Sequence, residues 1–149
     1  MWRLASPADD EAVVAMCRAL NEEDPGPKPV PAEHVQRTIA RLREEPARGR
    51  IVVLDRGRGL EGYAILISFW SNELGGEICN FDEIYVVPEE RSRGWATALV
   101  RTVERGELWP SRPVAFELEV TPDNVRARSL YERLGFAPNK NPMMRKLPP

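Results

Sequence analysis

Asp82-Glu83-Ile84-Tyr85-Val86-Val87-Pro88-Glu89-Glu90-Arg91-Ser92-Arg93-Gly94-Trp95-Ala96 joins a strand-like run to the start of an amphipathic helix through a short basic loop. Such a junction is an anion cradle. The first N–H groups of a helix have no internal partner and carry the positive end of the helix dipole, so they point at whatever sits above the helix start. With two arginines and a glycine in the loop, a diphosphate suits it.

Downstream, a helix is expected from about Ser92 to Arg105, with Ala96, Leu99, Val100 and Val103 facing a sheet. Val114, Phe116, Leu118 and Val120 then alternate with Ala115, Glu117 and Glu119, the period of a half-buried strand. Thr121-Pro122-Asp123-Asn124 reads as a helix cap before an apolar face of Ala127, Leu130, Tyr131 and Leu134. Gly135 supplies a left-handed stop, with Phe136 beyond it. The tail around Met143-Met144-Arg145-Lys146-Leu147 reads as a final strand.

Upstream, Trp2-Arg3-Leu4 reads as an edge strand, and Ser6-Pro7 as an N-cap followed by proline at the first helical position. Val13, Met16, Cys17 and Leu20 follow at helical spacing. Asp24 to Pro31 carries four prolines and can be neither helix nor central strand, so it is a loop. A second helix is expected from about Pro31 to Glu45, with Val35, Ile39 and Leu42 on one face. Ile51–Leu54 and Tyr63–Trp70 form a hairpin about the turn Asp55–Gly59, and a second turn at Asn72–Gly76 leads to a strand from about Glu77 to Val87. The resulting order, βααβββαβαβ, is an α+β fold with one helical crossover that makes the following strand parallel.

Bulk properties fit a single domain over 1–149. The 149 residues are 42% hydrophobic and 30% charged, without the apolar run of roughly 20 residues that a membrane helix needs. A net charge of −2 argues against broad attachment to nucleic acid or anionic lipid, so any anion site must be local. Cys17 and Cys79 lie far apart beside a single histidine, His34, which supports neither a zinc site nor a disulfide framework. Both read as structural thiols of a reducing cytoplasm. The N-terminus turns acidic at Asp9-Asp10, where a signal peptide stays apolar.

Two blocks carry a resemblance. Val86-Val87-Pro88 followed by Arg91-Ser92-Arg93-Gly94-Trp95-Ala96 is similar to the Arg/Gln-x-x-Gly-x-Gly/Ala pyrophosphate loop of the GCN5-related N-acetyltransferase (GNAT) superfamily, and Asn124 to Phe136 resembles the Asn-x-x-Ala-x-x-Leu-Tyr-x-x-x-Gly-Phe end of the same family. The resemblance implies a mixed, mostly antiparallel twisted sheet of six to seven strands flanked by four helices. It also implies acetyl-CoA as cosubstrate, an amine acceptor and no metal. Many relatives carry Arg-Gly-x-Gly-Ile-Gly there; this chain has Ser92 where glycine is usual, Trp95 at the aliphatic position, and Ala96, an accepted variant, at the last glycine.

Carried over residue by residue, the resemblance puts the CoA diphosphate over the backbone of Arg91 to Ala96 and the adjoining Thr97, with Arg91 and Arg93 as charge partners. The alternative for both arginines is a solvated turn offsetting Glu89 and Glu90. The backbone of Ile84, Tyr85 and Val86 pairs with the pantetheine arm like an added strand. The thioester lies where that strand and Phe116-Glu117-Leu118 separate. Asn124 contacts CoA or caps its own helix, and Tyr131 matches the group that assists the departing thiolate.

The acceptor amine needs a base. An alkylammonium with a pKa near 10.4 is about 3.4 units from neutrality at pH 7, so freeing the amine costs about 4.6 kcal/mol. Asp82 and Glu83 are the candidates, on opposite faces if the strand alternates regularly. Asp82 shares parity with Ile84 and Val86, and Glu83 with Tyr85. Glu117 and Glu119 form a second acidic pair that suits a cationic acceptor or faces solvent. Phe69, Trp70 and the proline loop are candidate acceptor walls. The acceptor is open between a small polyamine, diamino acid or aminoglycoside and a peptide N-terminus or lysine. An acyl-CoA-binding regulatory module without turnover is the rival reading, and a homodimer through sheet edges is the expected assembly.

Overall fold

Arg3, Ser6 and Asp9 show how the chain starts its first helix. The Asp9 carboxylate accepts from the Ser6 amide at 2.7 Å and the Ser6 hydroxyl at 2.8 Å, and the Arg3 guanidinium grips both its oxygens at 2.8 and 3.0 Å. That bonding to Arg3 holds Asp9 well below the usual carboxylate range despite its burial. A 3-10 turn at Pro7–Asp9 then leads into α1, Asp10–Glu23. The Pro7 start lies where its missing N–H is harmless.

The computed structural model describes residues 1–139 and 142–149. It resolves into two compact units, Met1–Glu119 and Val120–Pro149. In the first, strand β1 (Trp2–Leu4) precedes α1; α2 (Ala32–Glu44), β2 (Gly49–Asp55), β3 (Leu60–Ser71), β4 (Gly76–Val86), α3 (Trp95–Glu104) and β5 (Ala115–Leu118) follow. The sheet order is β1-β2-β3-β4-β5, with the first four strands antiparallel and β5 parallel to β4. The second unit contains α4, Val125–Arg133.

Side-chain alternation gives the sheet two apolar faces. One carries Ile51, Val53, Tyr63, Ile65 and Tyr85, and packs against Val13, Met16 and Cys17 of α1 and Val35, Ile39 and Leu42 of α2. The alternate residues Val52, Leu54, Ala64 and Leu66 are fully buried on the other face, where α3 contributes Leu99, Val100 and Val103. Cys17 and Cys79 are both free and buried, and burial pushes each thiol up to about 12.

Three expectations need correction. Five strands form among the described residues, and 143–147 is not one of them. That tail has two apolar residues followed by two basic ones rather than an alternation, and Met143, Met144 and Leu147 stand 84%, 96% and 71% exposed. The parallel strand is shorter than 114–120. Finally, α3 begins at Trp95 rather than Ser92, because Gly94 at its N-cap and Ser92 before it both have positive φ.

Candidate active site

A β-bulge places the acidic pair. Glu83 pairs with Ile65 and Phe81 with Leu66, so Asp82 is the extra residue of β4 and breaks the alternation assumed from sequence. Glu83 turns to the α1–α2 face. Its carboxylate accepts from the Tyr63 hydroxyl at 2.7 Å and lies 3.8 Å from the Cys17 sulfur. Desolvation raises the Glu83 pKa, with the Asp82 charge adding to it and the Tyr63 bond opposing it. Asp82 keeps an exposed side chain. Partial desolvation, then the like charge of Glu119, raises its pKa as well.

The sheet opens at the same point. Pairing of β4 with β5 runs from Ile78↔Ala115 to Phe81↔Leu118 and stops there, while β4 continues to pair with β3 as far as Val86↔Gly62. The Val87 amide bonds the Glu61 carbonyl of β3. By alternation the polar groups of Ile84 and Val86 therefore face the edge that β5 has left. This is the separation the resemblance implied, with Asp82 at its fork.

The loop after this edge leads into a helix start. A 3-10 turn spans Pro88–Glu90, then Ser92 (φ 66°) and Gly94 (φ 81°) take left-handed conformations immediately before the ten-residue α3. Glycine is the natural residue at such positions, and serine there is strained by about 1 kcal/mol. Ser92→Gly should accordingly raise unfolding free energy by about 0.5–1 kcal/mol in a urea titration. An unchanged midpoint would show that the serine conformation carries no strain.

The arginines are placed differently. Arg93 is 57% exposed and 3.5 Å from the buried Glu90. Arg91 is bonded to Glu23 and to the Val86 carbonyl, not to Glu89. Trp95 finds its room beneath the β2–β3 hairpin, with the Arg56 guanidinium 4.9 Å from its ring and its indole N–H donating to Glu90 at 3.2 Å. The Trp2 indole donates to the Trp95 carbonyl at 2.9 Å. Ala96 and Thr97 are half-buried in the first turn of α3.

In the second unit, the Asn124 side chain caps α4 by accepting from the Ala127 amide at 3.1 Å. Ala127, Leu130, Tyr131 and Leu134 are the half-buried positions of that helix end, as expected. Tyr131 meets Phe136 edge-on at 5.9 Å, and Gly135 (φ 96°) makes the stop between them. Desolvation raises the Tyr131 pKa, so its hydroxyl stays protonated at neutral pH.

The family model for the acetyltransferase (GNAT) family matches residues 13–136. The chain belongs to the GNAT acetyltransferase family. An integron cassette protein from the mobile metagenome of Cole Harbour Salt Marsh is 25% identical, with a TM-score of 0.81 over 99% of this chain and 91% of that one. A Clostridium difficile 630 protein described as a possible acetyltransferase is 18% identical, with a TM-score of 0.81 over 99% and 96%. The ribosomal-protein-alanine N-acetyltransferase of Brucella melitensis biovar Abortus 2308 is 15% identical, with a TM-score of 0.71 over 99% of both chains. No curated protein matches the sequence.

These likenesses establish the family and the fold, and with them acetyl transfer as the family's chemistry. Among the described residues there is no metal-ligand cluster, and no helix is long and apolar enough to cross a membrane. Three partners escaped the sequence reading: Tyr63 on Glu83, Glu23 on Arg91, and Arg56 on Trp95. A tryptophan at an aliphatic position was the one available signal, since it calls for a cation or donor on the neighbouring hairpin.

Glu83 makes stability depend on pH. Its folded pKa lies above the unfolded value of about 4.3, so ionised Glu83 destabilises the fold above the folded pKa and not below the unfolded one. Glu83→Gln should therefore be more stable than the parent at neutral pH, with the gain vanishing as pH falls below the carboxyl range. Urea midpoints at a series of pH values measure it; a gain that persists at acid pH would contradict the assignment.

Proposed function

We propose that this chain moves an acetyl group from acetyl-CoA directly to a primary amine, its acceptor a small cationic amine. The observation that carries the reading is the parting of β4 and β5 beyond Phe81 and Leu118, beside a left-handed loop and helix start, with Asp82 at the fork. Acetyl-CoA, when bound, supplies an acetyl group already activated as a thioester.

The protein's residues then have separate tasks. The amides from Ser92 to Thr97, with the Gly94 approach and the exposed Arg93, hold the diphosphate. The edge groups of Ile84 and Val86, beside Tyr85, fix the pantetheine arm as an added strand would. Asp82 takes the ammonium proton, directly or through a water it positions. Its reach to solvent favours it over Glu83, whose carboxylate is already engaged by Tyr63. Glu119, close enough to perturb Asp82, adds the second negative charge that attracts a cationic acceptor. For Tyr131 and Asn124, in the second unit, the support is the family resemblance: a hydrogen bond from the Tyr131 hydroxyl to the departing thiolate, and a CoA contact from Asn124.

The family match runs unbroken through 13–136, which supports reading the chain as one acetyltransferase domain. Two free, buried cysteines accord with a reducing cytoplasm. A homodimer through a sheet edge completes the proposal; light scattering tests it.

Thiol release from acetyl-CoA across a panel of polyamines, diamino acids, aminoglycosides and lysine peptides tests the reaction. Release should depend on the amine and be fastest with small polycations. Binding of acetyl-CoA without release for any amine would favour the regulatory-module reading.

A further inference from the structure

Helix α1 ends with Asn21, Glu22 and Glu23 and is capped by Asp24, with no basic residue in its last turn. Acidic residues at that end oppose the helix dipole, whose negative pole lies there. The compensating cation comes from far along the chain. One Arg91 nitrogen, Nη2, donates to the two Glu23 carboxylate oxygens at 2.8 and 2.7 Å, while Nε donates to the Val86 carbonyl at 2.8 Å. The same guanidinium lies 5.5 Å from the centre of the Tyr85 ring.

The Val86 carbonyl faces the open edge of β4, and Glu23 is the last helical residue before the proline loop. One side chain thus ties together the diphosphate loop, the open strand edge and the start of the loop expected to wall the acceptor. Moving Arg91 onto a phosphate would break its bonds to both partners, Glu23 and Val86. Arg93, 57% exposed, has a looser hold to give up, its 3.5 Å ion pair with Glu90.

We propose that Arg91 is a positioning residue, a latch that pins the end of α1 and the start of the Asp24–Pro31 loop to the β4 edge, so that it governs acceptor binding rather than diphosphate binding. This inference rests on the acetyl-transfer reading. The planar fork matters, because a lysine ammonium cannot bond the carbonyl and the carboxylate in the same geometry.

The test compares Glu23→Gln, Arg91→Gln, Arg91→Lys and the Glu23→Gln/Arg91→Gln double variant in the full chain. Acetyl-CoA affinity is read by calorimetry, amine KM and kcat by thiol release, and amide hydrogen exchange over residues 21–31 by mass spectrometry. Each single variant should raise amine KM by about fivefold, the upper range for a partly exposed ion pair. Each should also quicken exchange in 21–31 to a similar degree and leave acetyl-CoA affinity within about twofold. The double variant should be no worse than Glu23→Gln or Arg91→Gln alone.

Loss of acetyl-CoA affinity by about tenfold or more in Arg91→Gln, with Glu23→Gln unaffected, would make Arg91 a phosphate ligand and overturn the latch. Unchanged exchange in both Glu23→Gln and Arg91→Gln would overturn it too. If the parent turns over no amine, the acetyl-transfer reading fails on that result, and exchange and acetyl-CoA affinity still decide the latch.

Discussion

Asp82→Asn is expected to lower kcat/KM for the amine by about 10²–10³-fold at neutral pH. Asp82 is the bulged residue of β4, with an exposed carboxylate at the point where β5 departs. Without a base the reaction must draw on the small free-amine fraction. The variant's rate should then rise about tenfold per pH unit towards an amine pKa of about 10.4, narrowing the gap to the parent. The parent should show an acidic limb above the ordinary carboxyl range, because desolvation and Glu119 raise the Asp82 pKa. Glu83→Gln is the matched control. A collapse in that variant, with Asp82→Asn retaining the parental profile, would move the role to Glu83.

The second large effect belongs to Tyr131. Tyr131→Phe should lower kcat by about 10²-fold, the usual scale for removing one donor aimed at developing charge. Acetyl-CoA affinity should hardly change. The phenylalanine ring keeps the edge-on contact with Phe136, so the fold keeps its packing there. Residual turnover is expected because a thiol of pKa about 8.5 leaves tolerably well without assistance. The deficit should shrink with acyl donors whose leaving thiol is more acidic; an undiminished deficit would argue that Tyr131 only packs.

Much of this was legible from local pattern. Val35, Ile39 and Leu42, or Leu99, Val100 and Val103, sit at helical spacing and are buried as that spacing requires. Asn124, Tyr131 and Gly135 declared the cap, the half-buried position and the stop of α4. The errors arose where spatial neighbours decide. The bulge at Asp82 depends on how β4 sits against β3, and no residue type at 81–83 announces it. The late start of α3 follows from the Ser92 backbone, which adopts a conformation that glycine would have advertised. The 143–147 segment was read from hydrophobicity without the alternation that a half-buried strand needs.

The site was legible in its parts and not in its pairings. Arg91 and Glu83 were picked out by type and position, yet each is engaged by a residue from a distant element, Glu23 for one and Tyr63 for the other. Sequence patterns predict which face a side chain takes, whereas the partner it meets depends on register. Those partners leave Asp82 as the more accessible of the two candidate bases and Arg93 as the more exposed loop cation.

Direct transfer between two bound substrates passes through no acetylated protein. Its most direct test is a single-turnover experiment with acetyl-labelled CoA and the best amine of the panel, in which quenched samples are separated into protein, thioester and amine. Label should pass from thioester to amine with no labelled protein at any time, at a rate that Asp82→Asn and Tyr131→Phe each lower. Label accumulating on the protein before the amine is added, and then chased onto the amine, would show a covalent route instead.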